Sequence, residues 1–234
     1  MIFSIAFNSL LFLPLINNLL EREKDLEARR ERLRMRSLLK DHAGILQIYL
    51  YIFLGVSITF CVLTIITPSI VINHLFENQA ALTLGLYTDP SSLNFGNFYE
   101  IMGNNIKVVI VCYLAAFFFG AGAILVISWN ASVWGTIFGT IIKNSAASYD
   151  PGVYLLVLTM AVAPYLLIEA SAYFLAGISG GVVSKAAGSE NVRSKRFEAI
   201  IKKSLLVLWL SLFLVIIGAA LESYVAPYVL KLLV

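Results

Sequence analysis

Apolar residues in this chain gather in long runs, at 1–20, 45–66, 107–142, 153–183 and 205–225, separated by polar intervals. Runs of about 20 residues suit helices that cross a bilayer, since a helix rises 1.5 Å per residue and the hydrocarbon core is ~30 Å thick. The pattern predicts an all-α, polytopic helical membrane protein with about six transmembrane helices, one of them short or broken. Its mean hydropathy of +0.85 and 13% charged residues place it with integral membrane proteins.

The run 107–142 is too long for one crossing. As helix its 36 residues cover ~54 Å, just short of two crossings. Two crossings, with a tight hairpin near Ser128-Trp129-Asn130, are expected, the second arm being short or broken and extending toward Ser148. The next run carries a proline, Pro164, and a carboxylate, Glu169, in its middle. Tyr165, Ala172 and Ala176 share the helical face of Glu169, so that face is expected to turn toward other helices instead of lipid.

Charge sets the expected topology. Fourteen of the seventeen Lys and Arg lie in two segments, 22–40 and 185–203, whereas 67–105 has none. By the positive-inside rule the basic segments are cytoplasmic and the loop 68–105 is outside. Parity then gives six spans with both termini outside. Residues 1–43 read as an N-terminal anchor helix followed by a charged cytoplasmic helix, and 44–234 as the transmembrane domain. Whether 1–20 spans the membrane or lies at its interface stays open in the sequence. The basic segments suit anionic lipid, and no nucleic-acid partner is expected.

Small residues recur four apart in the second half: Ala116 and Gly120, Gly135 and Gly139, Ala172 and Ala176, Gly177 and Gly181. Such pairs let helix backbones approach closely in lipid. The expected polar site is a cluster of Asn105, Asn130, Pro164, Glu169 and Glu222, in which at least one carboxyl carries a proton and hydrogen-bonds its neighbours. The bland alternative sends each carboxylate separately to a head-group interface.

Enzyme signatures are missing. Ser179 sits between glycines in Gly177-Ile178-Ser179-Gly180, but neither His42 nor His74 lies in a span to serve as its base. No zinc or nucleotide motif occurs, and Cys61 and Cys112 fall inside apolar runs without metal-site spacing. No catalytic residue, metal or cofactor is expected.

Several of these residues form one pattern. Asn104-Asn105, Phe119-Gly120, Asn130 ahead of Gly135 and Gly139, then Pro164, Glu169, Ala172 and Gly177, and finally Ala219-Ala220-Leu221-Glu222 with Pro227 follow in order. Across about residues 100–230 the chain resembles the stage II sporulation protein M family of membrane proteins. It differs in having Asn130-Ala131 where the family usually has Asn-Gly, and Pro164-Tyr165-Leu166 in place of Pro-His-Gly. The resemblance implies a non-enzymatic scaffold or assembly factor that recruits other membrane or envelope proteins at the cell membrane. A homo-oligomer is left open. The competing reading is a transporter or channel component using the Asn/Glu cluster.

The topology is testable directly. A cysteine introduced as Glu190→Cys should be protected from an impermeant thiol reagent applied outside intact cells, and Pro90→Cys should be labelled. Labelling of both from the same side would contradict the assignment.

Overall fold

The computed structural model describes residues 2–29, 42–68, 97–145 and 151–228. Among them the chain forms six α-helices: α1 (Ile2–Arg29), α2 (Ala43–Ile66), α3 (Phe98–Phe119), α4 (Ala123–Ser145), α5 (Pro151–Ser189) and α6 (Lys195–Ala220). A π-helical turn, Leu221–Val225, continues α6. All-helical structure is what lipid imposes, because a helix satisfies its backbone polar groups within itself. Among the described residues five helical segments, all but α1, are long and apolar enough to cross a membrane.

The contacts define the layout. α2 and α4 run parallel, because Ser57 meets Ala131, Gly135 lies on Ser57 and Phe60, and Gly139 lies on Cys61 and Thr64. Lys143 then donates to the carbonyl of Thr67 where both helices end. α5 and α6 are antiparallel and clasped by hydroxyls: Ser179 Oγ donates to the Ser204 carbonyl at 2.6 Å, and Ser211 Oγ to the Ala172 carbonyl at 2.8 Å. α3 lies along α5, with Tyr113 and Ala116 against Gly180.

One end of the bundle is basic. There α1 crosses the others, with Asn17 beside Gly120, Leu20 on Gly181, and buried Lys24 bonded to Glu21 and Ser189. Asp25 pairs with Arg196, which also pairs with Glu190. The charged stretch of α1 and the segment after α5 therefore meet at the same end, which is the arrangement the charge pattern predicts for the parts described. Residues 30–41 and 69–96, the latter most of the expected outer loop, lie outside the described residues. The apolar interior centres on Tyr49, Phe53 and Phe174, with Ile124, Ile127 and Ile178 packed around them.

Three expectations are corrected. The hairpin in 107–142 turns at Gly120–Gly122, and Ser128-Trp129-Asn130 lies within α4. Gly120 has φ +66°, a conformation that glycine takes without penalty, so the turn falls there instead of at the bulkier Ser-Trp-Asn. Gly120 is thus a turn residue as well as a packing one. α3 also starts earlier than the expected loop end at 105. The Asn97 side chain accepts from the Tyr99 backbone N–H and caps the helix at Phe98. This earlier start draws Lys107 into the middle of a span, although the apolar runs alone leave every span centre free of Lys and Arg. Finally, α4 is a full 23-residue helix and α5 runs unbroken through Pro164, as transmembrane helices allow. The irregular turn lies in the last span, at Leu221–Val225.

Close packing of α4 on α2 gives a stability test. A Cβ at Gly135 would sit 2.3 Å from the Ser57 carbonyl oxygen, which is backbone and cannot turn aside. Gly135→Leu should therefore lower thermal stability in detergent by at least ~1–3 kcal/mol. Gly188→Ala, where a Cβ meets nothing within 4 Å, should not lower the melting temperature.

Candidate functional site: a buried carboxyl cluster

Glu169 sits in the middle of α5 at 2% exposure. The cluster around it is built by three elements. Asn105, in the second turn of α3, donates from Nδ2 to Glu169 Oε1 at 2.6 Å. Tyr173, one turn after Glu169 on α5, donates from its hydroxyl to Asn105 Oδ1 at 2.7 Å. Glu222, half-buried in the π turn after α6, brings its carboxyl into hydrogen-bond contact with that of Glu169. Two carboxyl groups set side by side can bond to each other only when one of them holds a proton.

Room for this arrangement comes from Gly218. A Cβ there would lie 2.6 Å from Glu169 Cγ and 3.2 Å from its Oε1, so the α6 backbone serves as the wall of the carboxyl site. Gly218 stands four residues before Glu222, one turn earlier on the same face. The π turn follows directly after that contact and places the Glu222 carboxyl over Glu169. π turns inside α-helices are frequent at functional sites.

The structure thus brings Asn105, Glu169 and Glu222 together and leaves two expected members out. The Asn130 carboxamide donates to the Val126 carbonyl of its own helix at 2.9 Å. An asparagine within one turn of its own backbone carbonyl satisfies itself there. Pro164 is exposed on α5 and adds nothing to the cluster. Tyr173 is a member that the sequence reading omitted. Its signal was its place four residues after Glu169, on the same face as Ala172 and Ala176.

The small residues lie where helices touch. Ala116, Ala172 and Ala176 are fully buried, Gly177 lies on Ala123 and Tyr49, and Gly181 on Leu20 and the Gly120 carbonyl. Ser179, the serine between glycines, bonds the Ser204 carbonyl. Among the described residues no group of three or more His, Cys, Asp or Glu could hold a metal ion. Cys61 and Cys112 are free thiols.

Comparison with known families settles the kinship. The family described as Stage II sporulation protein M matches residues 45–227. The chain belongs to the stage II sporulation protein M family. The match takes in α2 to α6 and the whole of the carboxyl cluster, and leaves α1 outside it. No curated protein and no solved structure matches the chain. Membership in this membrane family, with five apolar helical segments, makes it a multi-pass membrane protein.

Two substitutions separate hydrogen bonding from mere space-filling at Glu169. Glu169→Gln keeps donors and acceptors and should fold with near-native stability. Glu169→Leu orphans Asn105 and Glu222 and should cost ~1–3 kcal/mol in a detergent unfolding assay. Equal stability of the two variants would remove Glu169 from the cluster.

Proposed function

We propose that this protein is a non-enzymatic membrane scaffold or assembly factor that recruits partner proteins at the cell membrane, with its basic end cytoplasmic. The observation that carries this reading is that the buried polar groups of the site are bonded to one another. Glu169 is held by Asn105 and Glu222, and Asn105 is held by Tyr173. A core tied together in this way supports a rigid platform. The scaffold role that the family resemblance implies agrees with it.

A second reading, a component of a transporter or channel, is favoured by one specific feature. Two carboxyl groups, those of Glu169 and Glu222, stand side by side, and Glu222 is only half-buried, near the end of the bundle away from the basic segments. Intramembrane carboxyls of this kind mark ion or proton pathways in transporters.

Mild-detergent purification from native membranes, followed by mass spectrometry, separates the two. The scaffold reading predicts a protein that co-purifies in fixed ratio with the chain, and liposomes of the purified protein that pass no more protons or ions than empty ones. Flux that disappears in Glu169→Gln, with no co-purifying protein, would overturn it in favour of the second reading.

A further inference from the structure

One face of α3 is unlike the other surfaces expected to meet lipid. Glu100, Asn104, Lys107, Val111, Leu114 and Phe118 recur at spacings of four and three, and all six are exposed. The half toward the basic end is apolar, as lipid requires. The other half carries a carboxylate, a carboxamide and an ammonium group. Beside them, a Cβ added at Gly103 meets nothing within 4 Å, so this face is open to an approaching helix.

Depth makes Lys107 the telling residue. It is the tenth residue of a 22-residue span. Exposed Tyr99, Tyr224 and Tyr228, with Phe98 stacked on Tyr224, form an aromatic group at the end of α3 and α6 opposite the basic segments. Aromatic side chains concentrate at membrane–water interfaces, so this group marks the boundary there. Lys107 follows Tyr99 by eight residues, which puts its Cα ~12 Å inside that boundary. Its side chain leans back toward the helix N-terminus and so regains part of that distance, but lysines that snorkel freely stand near helix ends. Glu100 belongs to the first turn, level with the aromatics, where a carboxylate is at home near the helix N-terminus.

A charged residue at this depth is costly against lipid and normally meets another polar group. A second copy of the chain fits poorly, since an axis along the membrane normal would set Lys107 at the same depth as its own counterpart. An opposite charge fits. We infer that the Asn104–Lys107 face of α3 docks the transmembrane helix of a different protein, one that carries an acidic side chain at the depth of Lys107. The carboxylate of that helix receives hydrogen bonds from the Lys107 ammonium and the Asn104 carboxamide. Val111, Leu114 and Phe118 pack along the rest of its length. This inference rests on the scaffold reading and names the surface that would do the recruiting.

The test is resonance energy transfer in lipid vesicles between the labelled protein and a synthetic leucine/alanine transmembrane peptide. The peptide carries Asp, Leu or Lys at the depth of Lys107. The Asp peptide should associate about tenfold more tightly than the Leu peptide. Lys107→Met should erase that preference, and Lys107→Glu should transfer it to the Lys peptide. Equal association of the Asp and Leu peptides, or a preference that survives Lys107→Met, overturns the inference. Self-association of the protein that depends on Lys107 overturns it in favour of a second copy. Melting in detergent shows whether Lys107→Met is folded, and Asn104→Leu provides the same readout if it is not. Capture of a partner from native membranes that Lys107→Met leaves undiminished keeps the scaffold reading and rejects this surface.

Discussion

A carboxyl group in the middle of a membrane-crossing bundle must find hydrogen-bond partners inside the protein. Water does not reach it there, and an unsatisfied polar group in hydrocarbon costs several kcal/mol. Glu169 meets this requirement through neighbours from two other elements, Asn105 of α3 and Glu222 of the turn after α6. Much else follows from it. Gly218 has to be glycine-sized because Glu169 occupies the space a side chain would take. Tyr173 is turned toward Asn105 and fixes the carboxamide so that its N–H points at Glu169. The π turn stands where Glu222 would otherwise need a different register to meet Glu169.

Side-chain bonds to backbone carry the same logic along the bundle. Ser179 and Ser211 join α5 to α6 above and below Gly177 and Ala176, and Ser57 joins α2 to α4. Close backbone approach at glycine and alanine, together with these hydroxyls, replaces the hydrophobic driving force that lipid removes between helices. At the basic end, ion pairs take over. Asp25 of α1 pairs with Arg196, which also holds Glu190, and Lys24 hydrogen-bonds Ser189, so α1 is tied to the α5–α6 connection, where head groups and water begin.

Much of this was legible in the chain itself. Apolar runs revealed the spans, because length and hydropathy in a bilayer leave little choice of structure. Glu169, Glu222 and Asn105 stood out as polar residues where lipid penalises them. What escaped were local choices between near-equal alternatives. The hairpin position depended on one glycine at positive φ, and Gly120 looked like half of a packing pair. Asn130 could be satisfied by its own helix, which a residue list does not reveal. The start of α3 hung on the Asn97 cap, and with it the depth of Lys107. Proline in α5 looked like a break, yet the helix continues because its packed neighbours support it.

The central claim is that Asn105 and Glu169 act as one bonded unit holding α3 to α5. A double-mutant cycle with Asn105→Leu and Glu169→Leu, measured by unfolding in detergent, tests it most directly. The two substitutions should be strongly non-additive, with a coupling of ~0.5–3 kcal/mol, because removing either partner already forfeits the shared bond. Additive losses would mean that the two side chains do not depend on each other, and the account of the core would fail.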